Sequence, residues 1–476
     1  MRRRRATPAT HKHGRLLAVL LACTCVNAAA FELEMGPVTV QDTFVTPAWT
    51  TVSFLQPFDV VPLVFALPTN QGGDPATLRI RNVTTTGFEI LQVEPSANDG
   101  QHLAMDTAYL AIEPGNHTLP DGSNISAFIH TTTSFVNRFL PPPRWDSVSF
   151  ATSFGGTPAV LGSIQTVANE TGNPPAGSSV PFMDVGIRNV SSTGMQVTLE
   201  RAESANGSVT LAESIALLVI DDQANVSFTD MFGSAIVLQS LLTPSNIQGW
   251  DDGCFANNYA AAFAATPLAV ASANSRTGNN GGWVRRCSES ATGLGLTIDE
   301  DIDNDPERSH MNETAGIVAA SAAFHVNFDV DLSVVKTVAT LSDPVNGTTD
   351  PKAIPVATVG FTIGVQNSGS LSPDDSTLVV SDVLPAELSL CVTSTCLAGG
   401  PVILDTSGSP VPPGVTLGAI EYSDDGGATF NYVPVPDVDG FDSGVDAVRI
   451  TLNGTFASIA PAGPPSFELR MAARVD

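Results

Sequence analysis

The segment Ile80-Arg-Asn-Val-Thr-Thr-Thr-Gly87 returns as Ile187-Arg-Asn-Val-Ser-Ser-Thr-Gly194, and this recurrence decides the fold. Upstream, Trp49-Thr-Thr-Val-Ser-Phe54 is matched by Trp145-Asp-Ser-Val-Ser-Phe150. Each continues to a second Phe (Phe58, Phe154) and then a Pro (Pro62, Pro158). The offset grows from 96 to 107 residues between the two motifs, so the second copy carries an eleven-residue insertion. It falls in residues 169–180, a Gly-, Pro- and Ser-rich stretch of the kind that loops accommodate. A third, more diverged copy follows, in which Tyr259, Phe263 and Pro267 repeat the aromatic, aromatic, Pro spacing. Thr292-Gly293 answers Thr193-Gly194, and His310, Thr314 and Ala315 echo His102, Thr107 and Ala108. Cys254 stands where the other copies have Trp49 and Trp145, so a disulfide is expected to replace the packing of the missing Trp.

Met195, Val197 and Leu199 alternate with Gln196, Thr198 and Glu200, and Leu294, Leu296 and Ile298 alternate in the same way. Side chains of a strand point to opposite faces with period two, so these segments read as half-buried strands. The Asn-Val-(Ser/Thr)-(Ser/Thr)-Thr-Gly segment between two such runs reads as a hairpin turn, its Gly available for positive φ. No segment has helical periodicity. The expected class is all-β, a tandem of antiparallel β-sandwiches.

The Val-Ser-Phe strand, the following Phe and Pro, and the Asn82–Phe88 turn resemble those of H-type lectin domains. The resemblance covers residues 31–120, 121–223 and 224–327. It implies a six-stranded antiparallel sandwich and, in true lectins, binding of galactose-type sugars and trimers. Lectin members place an aromatic and polar cluster near the final strand, where this chain has Tyr109, Ala216 and Gly316. The copies disagree there, so no sugar-binding residue carries over. From residue 328 to 476 the character changes. Leu332-Ser-Val-Val-Lys336, Phe361-Thr-Ile-Gly-Val-Gln-Asn-Ser-Gly369 and Asp382-Val-Leu-Pro-Ala386 resemble the opening strand, the "tVtNtG" strand and the "DxLPa" turn of an immunoglobulin-like domain of bacterial surface proteins, the domain of unknown function 11. That resemblance implies a stalk or spacer module and a bacterial source.

Residues 1–30 read as a cleaved signal peptide. Arg2 to Arg5, Lys12 and Arg15 give the basic region, residues 16–26 the apolar run, and Ala28-Ala29-Ala30 the cleavage pattern. The run is too short to span a bilayer, which takes about 20 apolar residues. A lipoprotein signal, with Leu20-Leu21-Ala22 before Cys23, is the rival reading. Losing the six positive charges of the leader would take the net charge from −27 to −33. Such acidity leaves no basic footprint for nucleic acid or anionic lipid, and favours solubility in an extracellular medium. Cys254, Cys287, Cys391 and Cys396 would remain, and export favours their oxidation. Three connectivities are available; Cys254–Cys287 and Cys391–Cys396 keep each bond inside one domain.

Catalytic patterns are missing: the sequence contains no G-x-S-x-G, H-E-x-x-H, P-loop or Rossmann fingerprint. His102, His117, His130, His310 and His325 are scattered and read as surface or turn residues. Asp299, Asp301, Asp303 and Asp305 alternate like the ligands of a calcium loop. The central Gly and closing Glu of an EF-hand are missing, and a solvated acidic hairpin loop is the plainer account. Asp437, Asp439, Asp442 and Asp446 form a second acidic turn. Ten Asn-x-Ser/Thr sequons occur, at Asn82, Asn116, Asn124, Asn169, Asn189, Asn206, Asn225, Asn312, Asn346 and Asn453. Asn82 and Asn189 belong to the repeated turn and read as structural. The expected protein is a secreted, non-enzymatic surface or matrix protein that adheres or self-associates without inserting in membranes. Multivalent carbohydrate binding to cell-surface glycans is the alternative, with calcium as the one cofactor to consider.

Overall fold

The computed structural model describes residues 21–24, 30–43, 48–95, 102–138, 144–170, 181–204, 207–303 and 306–476. Among these, secondary structure is strand throughout, apart from one 3-10 turn at Trp250–Asp252. The chain divides into two compact units. Of the described residues, one unit comprises 30–329; the other joins Val330–Asp476 to Leu21–Thr24. The leader reading mostly falls outside the described residues. Its described part, β1 (Leu21–Thr24), belongs to the second unit.

Three copies build the first unit. Copy 1 contributes β2 (Phe31–Val40), β3 (Thr50–Ser53), β4 (Leu63–Ala66), β5 (Thr77–Arg81), β6 (Gly87–Val93) and β7 (Met105–Ile112). Copy 2 holds β8 (Gly115–Thr118), β9 (Asn124–Thr132), β10 (Phe135–Val136), β11 (Asp146–Ser149), β12 (Ala159–Ile164), β13 (Asp184–Ser191), β14 (Gly194–Glu200) and β15 (Glu213–Ile220). Copy 3 holds β16 (Asn225–Thr229), β17 (Ala235–Leu242), β18 (Phe255–Asn258), β19 (Leu268–Ala273), β20 (Trp283–Ser290), β21 (Gly293–Asp299) and β22 (Ala315–Ala320), with β23 (Phe324–Phe328) after it. In each copy a small sheet of the Val-Ser-Phe strand and the repeated hairpin (β3-β6-β5, β11-β14-β13, β18-β21-β20) faces a four-stranded sheet.

The four-stranded sheets run β23-β2-β7-β4, β8-β9-β15-β12 and β16-β17-β22-β19. In copies 2 and 3 the outer strand precedes its neighbour as a hairpin. In copy 1 that strand is β23, supplied from the far end of the unit and paired from Phe31↔Phe328 to Met35↔Phe324. The last strand of each copy thus runs directly into the outer strand of the next, and the third returns to the first. By pairing, Gly115–Thr118 lies in the four-stranded sheet of copy 2 and Phe324–Phe328 in that of copy 1.

The repeated motif residues have repeated jobs. The aromatic pair sits edge-to-face in each core: Phe54–Phe58 at 4.9 Å, Phe150–Phe154 at 5.5 Å and Tyr259–Phe263 at 5.0 Å. The turn glycines differ from the expectation. Asn82 and Asn189 take the positive φ, near 51° and 52°, which Asn tolerates. Gly87, Gly194 and Gly293 are required for closeness instead, because a Cβ there would lie 2.1–2.6 Å from the carbonyl oxygens of Val52, Val148 and Asn257. Trp49 carries the Arg81 guanidinium at 3.9 Å and Trp145 that of Arg188 at 4.1 Å. In copy 3 the corresponding positions are joined as Cys254–Cys287. Beneath the stack, Glu89 and Gln196 accept from those arginines; beneath the disulfide lies Gly295, where a Cβ would meet Cys254 Sγ at 2.7 Å.

The second unit is one two-sheet sandwich of β24 (Leu332–Ser342), β25 (Thr358–Asn367), β26 (Val379–Val383), β27 (Leu388–Cys391), β28 (Ile403–Asp405), β29 (Thr416–Ser423), β30 (Phe441–Asp442), β31 (Ala447–Asn453) and β32 (Ser466–Val475). One sheet runs β24-β25-β32-β27-β30, with β28 also on β32; the other runs β1-β26-β31-β29. β25 alternates buried and half-buried residues along its whole length, and Phe361, Ile363 and Val365 enter the core with Val380, Ile450, Leu452, Phe467 and Leu469. The motif residues of this unit are structural. Lys336 reaches Asp382 at 2.7 Å and lies over Phe361. Asn367 donates to the carbonyls of Leu371 and Ala457 and accepts from Gly369 N–H. Cys391 and Cys396 are bonded.

Candidate functional site

The alternating Asp segment was the strongest chemical signal in the sequence, and the structure spends it on joining copies. Asp299 ends β21 fully buried. Arg285 meets one of its oxygens at 2.5 Å, and Arg308 Nε donates to the other at 2.7 Å. Arg285 also donates to the carbonyls of Thr69 and Asp74, and Arg308 to that of Gly73, all in copy 1. Asp301 accepts the backbone N–H of Glu203 and Ser204 in copy 2. Burial pushes its pKa up to about 7, with the charges of Asp303 and Glu300 adding to the rise against the lowering effect of amide hydrogen bonds. Asp303 follows in the same turn, its N–H on Asp301 Oδ1, and Asp305 lies outside the described residues. A hard cation wants six to eight oxygens with free lone pairs; here arginines and amides take those of Asp299 and Asp301. Among the described residues no group of three or more His, Cys, Asp or Glu side chains is placed to hold a metal.

The other copy interfaces follow the same plan. Between copies 1 and 2, Arg79 meets Glu170 at 2.6 Å and donates to Thr166 O, while the Thr77 hydroxyl donates to Asp184. Between copies 2 and 3, Arg276 Nε meets Glu200 at 2.5 Å. Small residues let the inner strands approach: a Cβ on Gly316 would lie 2.6 Å from the backbone N and O of Val160, and Asn274 hydrogen-bonds both of those atoms. Ala66, Ser163, Ser272, Thr77, Arg79, Asp184 and Trp283 enclose a polar cavity of about 30 Å³. That is room for water rather than for a sugar.

Three of the five histidines expected at the surface are buried. His325, on the closing strand β23, hydrogen-bonds Glu34 at 2.8 Å and Glu32 at 3.3 Å. Burial disfavours its charge, but the two carboxylates outweigh that and raise its pKa. Tyr109 donates to the other Glu34 oxygen at 2.5 Å. His310 lies between Glu300 and Glu313; burial opposes its charge, and hydrogen bonds to both carboxylates raise its pKa to about 9. His102 bonds the carbonyls of Leu103 and Asp74. A His–Glu–Tyr cluster has the elements of proton transfer, but Glu34 and His325 have no exposed surface for a substrate to reach. The acidic turn of the second unit is structural too. Asp437 caps Asp439 and Phe441 N–H and pairs with Arg474, Asp442 caps Val435 and Gly444, and Asp446 caps Gly426.

Beside exposed charged residues such as Asp59, Asp251 and Asp424, a strand edge and apolar surface are open to solvent. β24 pairs with β25 alone over eleven residues, and exposes Val335, Val338 and Leu341. Beside it lies a groove of about 350 Å³ lined by Ser333, Val335, Gln366, Ser407, Ser409 and Arg470. Arg470 is already paired with Asp405 and Glu468. The bridging arginines were invisible as a site in the sequence. Their one local signal is a charged residue inside an otherwise strand-like run, as in Thr77-Leu-Arg79-Ile.

Over 251 residues, 52% of this chain, the sequence is 28% identical to Halomucin of Haloquadratum walsbyi, of whose length it spans 2%. No family model matches the chain, and no solved structure matches it. No helix among the described residues is long and apolar enough to cross a membrane.

Proposed function

We propose that the chain is exported and serves at a cell surface or in an extracellular matrix as a non-enzymatic structural or adhesive protein. The observation that carries this reading is the division of its polar and apolar groups. The buried charged side chains are bound to one another, within copies at His310 and His325 and between copies at Arg79 and Arg276. Apolar valines and an eleven-residue strand edge stand in solvent. Two disulfides suit an oxidising compartment, and the similarity to Halomucin supports a surface address. An open edge with apolar neighbours favours association by strand addition to a second copy. The test is sedimentation of the full chain over a range of concentrations, beside V335K/V338K. The wild type should self-associate and the variant should not. A chain that stays monomeric at all concentrations and fails to bind cells of its own culture would sink the proposal.

Carbohydrate binding by three equivalent sites draws less support. Tyr109 is buried and its hydroxyl engaged by Glu34, and Ala216 is buried. Gly316 faces the Val160 backbone. A glycan array with the full chain, with and without calcium, tests it directly.

A further inference from the structure

Twenty-five asparagines and 87 serines and threonines in 476 residues would place about five Asn-x-Ser/Thr sequons by chance, and there are ten. Asn206 lies outside the described residues and Asn312 donates to Ser245 O; the structure sorts the others. Asn82 and Asn189 turn the repeated hairpin and donate to Glu89 and Gln196. Asn169 uses both amide hydrogens, on Leu211 O at 2.8 Å and Glu213 at 2.7 Å. Asn124 depends on Ser126, which is buried and donates to Asn116. Within the three-copy unit, Asn116 and Asn225 differ from these four; in the second unit Asn453 and Thr455 are exposed likewise, and Asn346 donates to Asp343. Asn116-His-Thr118 lies on β8 and Asn225-Val-Ser227 on β16. Residues i and i+2 of a strand share a face, so in each sequon the amide and the hydroxyl point out together. All four residues are exposed. Both strands are outer strands, bonded on one side to β9 and β17. The third outer strand, β23, has no sequon and is buried, with Phe324 and Phe328 against Phe228.

We propose that Asn116 and Asn225 carry N-linked glycans, which cover the two exposed outer strands of the three-copy unit. The donor is a lipid-linked glycosyl phosphate, brought by a membrane transferase. A bond forms between Asn Nδ2 and the anomeric carbon. The bond from that carbon to the phosphate oxygen breaks, and the lipid phosphate leaves with the electron pair. One Nδ2 proton passes to a base of the transferase. Glycans at these positions hinder strand addition to β8 and β16, while the apolar edge of β24 stays bare.

This rests on the reading that the chain is exported, and one experiment separates the two. The chain is recovered from the medium, the surface and the cytosol of the organism that encodes it, and its peptides are weighed by mass spectrometry. The Asn116 and Asn225 peptides from the exported fraction should carry hexose- or hexosamine-containing masses, and the Asn124 and Asn169 peptides should have their sequence masses. Ser227→Ala should abolish the addition at Asn225 and Ser227→Thr should keep it, with tryptophan fluorescence unchanged in both. Exported, folded chain with Asn116 and Asn225 both bare overturns the proposal and spares the export reading. Chain found only in the cytosol with residues 1–30 intact overturns both.

Discussion

The two units bury charge in opposite ways. Val330–Asp476 has one large apolar core running through both sheets, drawing on Val359, Phe361, Val380, Ile450 and Leu469 among others, and a small cluster of Cys391, Phe441 and Ala472 beside it. A single pair, Lys336–Asp382, crosses it beside Phe361. The unit of residues 30–329 has a separate smaller core in each copy, and its largest fully buried side chains include Arg79, Arg201 and Arg285. Small copies leave strand faces and edges that need partners. β21 shows the consequence: read as half-buried, it is buried at every residue because other segments cover its second face. Where copies meet, carbonyls at loop ends need donors, and the planar guanidinium meets several at once. Arg285 serves Thr69 O, Asp74 O and Asp299 together. A core large enough to exclude water needs few charges; three cores held to one another need many.

This contrast can be broken most forcefully at Arg285. Its replacement by Ala leaves Asp299 short of a partner and carbonyls without donors. The expected loss is about 3–5 kcal/mol, the usual cost of breaking a buried pair. All four tryptophans, Trp49, Trp145, Trp250 and Trp283, lie in the three-copy unit, so denaturant titration followed by tryptophan fluorescence reads it selectively. A midpoint that does not move would show that the bridging charges are dispensable.

Next in size are the disulfides. Cys254–Cys287 spans 33 residues and Cys391–Cys396 spans 5. Loop-closure entropy gives about 4 kcal/mol for the first and about 2 kcal/mol for the second. Serine replacement of each pair should rank in that order by differential scanning calorimetry. The reverse ranking would mean that the Trp–Arg stack of the other copies and the copy 3 disulfide are not equivalent devices.

Titration should sharpen the contrast. His310 is raised from 6.5 to about 9. A raised histidine stabilises fully below its unfolded pKa, and that contribution is lost as pH rises through about 9. Asp301, raised from 3.8 to about 7, holds a proton in the fold that the unfolded chain releases, so stability falls as pH rises through that lower window. The three-copy unit should therefore weaken steadily from pH 5 to pH 9. The His310 part is on the order of 3 kcal/mol, and His310→Gln should flatten the slope above pH 6.5. An unchanged slope in that variant would place the proton uptake elsewhere.

The smallest effect is expected at the Lys336–Asp382 pair beside the core of the second unit. Lys336→Met should cost about 2 kcal/mol, less than a fully buried pair because the ammonium is partly exposed, and K336M/D382L should recover most of it. Calorimetry should register both changes with the tryptophan midpoint unmoved. No recovery in the double variant would give the pair a specific role that apolar packing cannot fill.

Much of this was legible in the residues. Period-two alternation marked β14 and β25, and the recurring Phe–Phe spacing marked the aromatic pair of each core, because these patterns depend on neighbours a few residues apart. The substitution of Cys254 for a Trp marked the place where one cross-strand device replaces another. The Asp299–Asp303 segment misled for the same reason: its spacing is local, but its partners Arg285, Arg308, Glu203 and Ser204 come from other strands and another copy. The burial of His325 was missed likewise, since Glu32 and Glu34 lie almost three hundred residues before it.

The sequence by itself determined the strand content and the recurrence of the Phe–Phe and hairpin motifs. Those follow from side-chain alternation, internal likeness and local turn chemistry. Only the tertiary structure decided that β23 returns to complete copy 1, that the acidic segment joins copies, and which asparagines face solvent. Each of these depends on hydrogen bonds or burial between segments far apart in the chain, and no local pattern encodes which distant strand will pair or which oxygen will already be taken.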